Sequence, residues 1–435
     1  MLLQLSIENY KSIRERVVWS MLAAEGVEHR PGQVVEIPGI GKVLRVAGMY
    51  GPNASGKSAV VEAWDFFADL AVRGRKPEEG SGRIPFKLDP AWRSRPTTVE
   101  VVLALGDVPW TYGLSVGDEV VEEEWLLVGQ HHVFSRRGVA WDRPCVDWLE
   151  GLQVDEERRK FLRFVAEGVR PNQPLLAELR DRNVEEVRNL HDQLWGGSFR
   201  FSPIYRTGGL DLESVIDICA ASLSLRRHLL SFLEALGTGV VGVRFRSDDP
   251  VTQAELDQGR EVPSDTLNRL RKEGRGVVMH FLHAGTGGVT LPLGWEDLSD
   301  GTQRLLGMSF GWRWAEQFGH LLVVDEINRS FHPSLTRTLL ALLLEAEGPP
   351  RSQLLFTTHD THLLDAGLLG PDAIWFIEKN PEGASRLYSL AEFDPGQIRA
   401  LTGSLEAGYL QGRFGAIPFL GDPGRLGWVP EEPER

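Results

Sequence analysis

A glycine-rich octet constrains this chain more than any other feature in it. Val43 to Tyr50 reads as a buried strand and runs directly into Gly51-Pro52-Asn53-Ala54-Ser55-Gly56-Lys57-Ser58. Apolar residues at helical spacing follow it: Val60, Val61, Ala63, Trp64, Phe67, Leu70 and Ala71. A strand, a glycine-rich turn and a helix in that order aim backbone N–H groups and the positive helix end at one point. Glycine lets the backbone come close enough to phosphate oxygens for those donors to converge. The spacing predicts that residues Gly51 to Ser58 cradle phosphates, with Lys57 reaching the β- and γ-phosphates and Ser58 binding Mg²⁺.

Three later segments add chemistry to that turn. Leu321-Leu322-Val323-Val324 is a wholly apolar run, as in a buried parallel strand, and it delivers Asp325 and Glu326 at its end. Asp325 is placed to hold Mg²⁺, and Glu326 to act as general base on a water attacking the γ-phosphate. Leu354-Leu355-Phe356-Thr357-Thr358 ends in His359 and Asp360, so His359 is a candidate sensor of the γ-phosphate or of the attacking water. Leu298-Ser299-Asp300-Gly301-Thr302-Gln303-Arg304 opens a helix, where Ser299 serves as N-cap and the Ser/Gly pair also suits an anion. Lys11 and Arg14, in the turn after an N-terminal strand, are further candidates for nucleotide contact, and Phe86 for seating a base.

The rest of the chain reads as a soluble globular protein of 435 residues. Its formal net charge of −14 argues against a general polyanion binder, whose affinity would come from many phosphate contacts. The local basic cluster at Arg158, Arg159, Lys160 and Arg163 leaves nucleic acid open as a partner. Only Cys145 and Cys219 occur, too few and too scattered for a disulfide framework or a zinc site, which points to a reducing, cytoplasmic setting. No signal-peptide run and no apolar stretch long enough to span a bilayer is present, so no membrane partner is expected. Residues 1–150 read as an N-terminal lobe with an antiparallel meander after the turn. Residues 151–237 read as an inserted helical arm, with helices over Glu156–Glu167, Leu175–Leu194 and Leu223–Leu236. Residues 238–420 read as the C-terminal lobe, and 421–435 as a flexible tail.

Taken together, these motifs resemble the AAA-type, ABC/SMC-like ATPases of prokaryotic abortive-infection and phage-defence operons, of the RloA/AbiL type and more distantly the AriA and OLD-like ATPases. The resemblance rests on Ile7 to Ile13, Tyr50 to Ser58, Leu298 to Arg304, Asp325 to Pro333 and Thr357 to Asp360, with Ile374 to Lys379 and Gly412 to Pro418 as C-terminal signatures. It implies an α/β P-loop NTPase, an ABC/SMC-like head with an antiparallel β lobe and an inserted helical arm. It also implies Mg²⁺ with ATP, and a homo-oligomer in which Ser299 and Gly301 complete a partner subunit's site. OLD-like nucleases carry a Toprim domain after the ATPase. The stretch after Glu378 is too short for one, so the resemblance implies that a nuclease or toxin activity lies in a separate effector. Two other classes compete: a DNA-repair head ATPase, marked by DNA-stimulated hydrolysis, and a transporter's ATP-binding subunit, marked by a membrane component. The long span between Lys57 and Ser299 is unlike compact transporter heads.

Overall fold

The computed structural model describes residues 1–137, 155–195, 198–201, 212–345, 352–400 and 405–418. The chain starts with β1 (Leu2–Glu8) and β2 (Val17–Ser20), then a hairpin of β3 (Val34–Ile37) and β4 (Gly41–Leu44). Next comes β5 (Val46–Tyr50), which feeds the glycine-rich turn and helix α1 (Lys57–Arg73). After the short α2 (Pro90–Arg93) the meander follows: β6 (Thr97–Leu105), β7 (Val108–Val116), β8 (Val121–Val128) and β9 (His131–Arg137). Helices α3 (Glu156–Glu167), α4 (Leu175–Asp181) and α5 (Arg188–Trp195) lead to β10 (Ser198–Phe201), then α6 (Leu212–Ala221) and α7 (Leu223–Ala235). A small unit comprises β11 (Val240–Ser247), α8 (Pro250–Asp257), α9 (Ser264–Lys272), β12 (Val277–Ala284) and β13 (Thr290–Leu293). The chain then runs through α10 (Asp300–Phe318), β14 (Leu321–Val324), α11 (Pro333–Glu345), β15 (Gln353–Thr358), β16 (Ile374–Lys379), β17 (Ser385–Ser389), α12 (Pro395–Ala400) and α13 (Leu405–Leu410).

Two six-stranded sheets form the body. The antiparallel one has the order β2-β1-β6-β7-β8-β9, and its strands alternate between buried and half-buried positions, as in β6. The other has the order β10-β14-β15-β5-β16-β17, parallel except for β17. Every residue of β5, β14 and β15 is buried, the signature of parallel strands covered on both faces. Helix α1 buries Val60, Val61, Ala63, Trp64, Phe67, Leu70 and Ala71, the stripe its spacing predicts.

Two expectations are corrected. The run Val43–Tyr50 is not one strand: Val43 and Leu44 end the β3–β4 hairpin, and the chain enters the parallel sheet after Arg45. The guanidinium of Arg45 is buried and must find acceptors, which it does on the carbonyls of Gly32 (3.0 Å) and Leu343 (3.2 Å). The helix expected over Leu175–Leu194 is broken at Asn183, whose φ of 53° places it in the left-handed region that Asn tolerates better than most residues. The described part of the inserted helical segment lies against the body. Its α4 and α5 pack against α1, and β10 pairs in parallel with β14 from Ser198↔Leu321 to Phe201↔Val324. Sequence periodicity shows which face of a helix is apolar, not which neighbour covers it. Cys145 and the tail 421–435 lie outside the described residues. Cys219 is buried, which pushes its thiol up to about 12 and leaves it unreactive. Among the described residues no helix is long and apolar enough to cross a membrane.

Candidate functional site

Strand pairing fixes where the motifs meet. Tyr50, the last residue of β5, lies opposite Thr358 on β15 and Phe376 on β16, and Val324 on β14 lies opposite Phe356. The strands are parallel, so the loops at 51–58, 325–331 and 359–362 leave the same edge of the sheet. That edge is where ligands bind in open α/β folds.

The glycine-rich turn is shaped by contacts with both ends of the chain. Gly56 has a φ of 117°, and a Cβ there would lie 2.2 Å from Ser385 Oγ, so only glycine fits. Ser385, on β17, donates its hydroxyl to the Ser55 carbonyl at 2.7 Å and pairs with Ser12 Oγ at 2.8 Å. Pro52 is half-buried and Asn53 and Ala54 are exposed, forming the tip of the turn, with Ala54 at φ 62°. Helix α1 starts with no side-chain cap and no acidic residue in its first turn, which leaves its positive end open to an anion. Lys57 is 7% exposed, and its Nζ donates to the carbonyls of Gly51 (2.7 Å) and Pro52 (2.9 Å). Burial lowers the Lys57 pKa, opposed by the nearby carboxylates of Asp325 and Glu326.

Ser58 Oγ donates to Asp325 Oδ2 at 2.9 Å, joining the first motif to the second. Asp325 is buried, and its other oxygen accepts the Thr357 hydroxyl. Thr357 Oγ1 in turn accepts the backbone N–H of Glu326 at 2.8 Å. Glu326 sits at φ 51°, and its half-buried carboxylate has no hydrogen-bond or ion-pair partner among the described residues. Arg304 on α10 clamps the same turn, donating through Nη2 to the carbonyls of Asp325 (2.9 Å) and Glu326 (2.7 Å). Burial, then the neighbouring Arg329, pulls Arg304 down to about 10. His359 is exposed and meets Asn328, with Nε2 3.2 Å from the amide nitrogen.

Ser299 caps α10 by accepting the Thr302 N–H at 3.2 Å and is exposed. A Cβ on Gly301 would lie 2.8 Å from the Ser330 carbonyl, so glycine lets the 326–331 turn close onto the start of α10. No hydrogen bond among the described residues joins Ser299 or Gly301 to the glycine-rich turn. Lys11 is ion-paired to Glu62 on α1, and Arg14 to Glu15 and Glu382. Phe86 is 1% exposed, with its N–H held by Asn9, so its ring is not a surface for a base. Thr357, Arg304, Ser12 and Ser385 were not read from the sequence. Thr357 had a signal, a hydroxyl at the end of an apolar strand next to a histidine; Ser385 had none, because only strand register brings it to the turn.

The donor set fits Mg²⁺ with a triphosphate. A serine hydroxyl and one carboxylate touch, the Ser55 hydroxyl is buried without a partner, and a second carboxylate is unpartnered. Mg²⁺ takes one or two protein oxygens and completes its shell with phosphates and water.

The parallel sheet, the turn and the paired hydroxyl and carboxylate define a mixed α/β P-loop NTPase fold. The family described as "AAA domain, putative AbiEii toxin, Type IV TA system" matches residues 46–365, and the chain belongs to it. Among solved structures the chain is similar to the SMC head domain from Thermotoga maritima, at 12% identity and a TM-score of 0.40 over 89% of this chain and 98% of that one. A comparison with curated proteins finds no match.

Proposed function

We propose that the chain is an ATPase head that closes with a second copy around ATP and hydrolyses it. Its role is that of the regulatory ATPase of an anti-phage, abortive-infection system that controls a separate nuclease or toxin. The observation that carries the enzymatic reading is the contact of Ser58 with Asp325 beside the unpartnered Glu326 carboxylate, at the edge where α1 opens its uncapped end. The family's description names a toxin and a TA system, which supports the defence setting.

In this reading Gly51 to Ser58 wrap the phosphates with backbone N–H groups, and Lys57 leaves the Gly51 and Pro52 carbonyls to pair with phosphate oxygens. Mg²⁺, held through Ser58 and Asp325, supplies charge neutralisation on the phosphates. Glu326 accepts the proton of the water as its oxygen bonds to the γ-phosphorus and the bond to ADP breaks. Its turn geometry is set by Arg304 and Thr357, so the carboxylate is positioned before substrate arrives. His359 donates to the γ-phosphate. Ser299, exposed, and the half-buried Gly301 at the start of α10 close over the nucleotide of the other subunit, so pairing and hydrolysis are coupled.

The test is ATP hydrolysis by the purified protein with Mg²⁺, together with Glu326→Gln. The variant is expected to retain ATP and to accumulate as a dimer. Wild-type turnover by Glu326→Gln removes the general-base assignment. A pull-down with and without ATP, read by mass spectrometry, tests the effector; a partner that does not change with nucleotide contradicts regulation by this head. Hydrolysis that requires added DNA would instead favour a DNA-repair head.

A further inference from the structure

The turn after the acidic pair and the turn after β15 are tied by a chain of hydrogen bonds that fixes a proton. Thr358 is fully buried, and its Oγ1 accepts the Asp360 N–H at 3.0 Å. The hydroxyl proton must find an acceptor, and among the described residues the one it is bonded to is Asn328 Oδ1 at 2.8 Å. Turning the Asn328 amide over would set its NH₂ against Thr358 and leave that buried proton unbonded, so the amide has one orientation. Its NH₂ therefore faces His359 Nε2 at 3.2 Å. An NH₂ group only donates, so Nε2 must offer a lone pair and the ring proton must sit on Nδ1. The network runs in one direction: Asp360 N–H to Thr358, Thr358 O–H to Asn328, Asn328 N–H to His359.

We propose that Asn328 is a positioning residue that holds the His359 ring in the Nδ1–H tautomer and leaves Nδ1–H as its free donor. This rests on the reading of His359 as the residue that donates to the γ-phosphate, and it specifies which nitrogen does so. Free imidazole favours the opposite tautomer, so the prediction differs from what an unconstrained histidine at this position would show.

The experiment is ¹⁵N NMR of the full chain with ring-labelled histidine, without nucleotide, at a pH where free imidazole is neutral. The His359 signals are identified by their loss in His359→Gln. The expected result is a protonated Nδ1 and a bare Nε2 in the wild type. In Asn328→Ala the two nitrogens should average or exchange roles. Where the orphaned Thr358 hydroxyl unfolds that variant, Asn328→Ala combined with Thr358→Val removes the orphan and gives the same readout. A wild-type His359 protonated on Nε2, or one whose tautomer is unchanged when Asn328 is removed, overturns the proposal. Because no nucleotide is present, these outcomes are independent of whether the chain hydrolyses ATP. With ATP, Asn328→Ala should lower kcat more than it raises KM, and Asn328→Gln should not restore it, since its longer amide cannot bridge Thr358 and His359 at these distances.

Discussion

Thr357→Val isolates one hydroxyl that supports both acidic residues of the site. In the wild type that hydroxyl donates to Asp325 Oδ1 and accepts the Glu326 N–H at 2.8 Å, inside a strand with no exposed residue. Valine keeps the branched shape and removes both bonds. A hydrogen bond to a charged group contributes about 1.5–3 kcal/mol. At 1.36 kcal/mol per decade, its loss corresponds to roughly 10- to 150-fold. The loss should fall first on the metal, because Asp325 Oδ1 is what keeps Oδ2 aimed at Ser58. The half-saturating Mg²⁺ concentration for ATP hydrolysis should therefore rise by that factor. The maximal rate should fall as well, since Glu326 is held at a left-handed φ of 51° by the N–H bond being removed. Leaving that N–H unsatisfied should also lower the melting temperature. Thr357→Ser keeps the hydroxyl and should stay near wild type on all three measurements. A Thr357→Val protein with unchanged Mg²⁺ dependence would refute the claim that this hydroxyl orients the metal-binding carboxylate.

Other outcomes follow from the same geometry. Lys57→Ala should abolish ATP binding, read by equilibrium dialysis, while leaving the fold intact by circular dichroism. Glu326→Gln should keep ATP binding and shift the protein to a dimer in size-exclusion chromatography with ATP, at less than a hundredth of the wild-type rate, from a general-base contribution of roughly 10²–10⁴. His191, buried with Nε2 2.7 Å from the Leu176 carbonyl, has its pKa lowered to about 4 by burial. A depressed folded pKa means that the unfolded chain binds the proton first, so stability is present above about 6.5 and is lost as pH falls toward about 4. His191→Gln, whose amide can still donate to Leu176, should flatten that part of the melting-temperature profile.

How much of this was legible in the sequence depended on range. The turn 51–58 carries its own instructions: glycine at positions of close approach, a strand before it and a helix after it, all within one window. The end of β14 was equally plain, because Leu321 to Val324 are all buried and the first polar residues after them had to emerge at the strand edge. Order along a parallel sheet is different. That β15 lies between β14 and β5, placing Thr357 against Asp325, follows from pairings between separate segments, the β5 one with a strand near the other end of the chain, and no local periodicity encodes them. The same holds for Ser385, which reaches Ser55 only because β17 pairs antiparallel with β16, and β16 in parallel with β5. What the helical segment packs on was hidden for a related reason. A charged amphipathic pattern such as that of α4 and α5 predicts that one face is covered, and an exposed arm and a layer over α1 satisfy it equally well. Arg304 shows where the limit lies. In sequence it is one more cation in a polar helix start, yet its half-buried guanidinium bonds the carbonyls of the two acids. A charge removed from water in this way must be repaid with acceptors. Which carbonyls supply them is set by the packing of α10 on β14, a tertiary fact, and it joins the helix that bears Ser299 and Gly301 to the turn that bears Glu326.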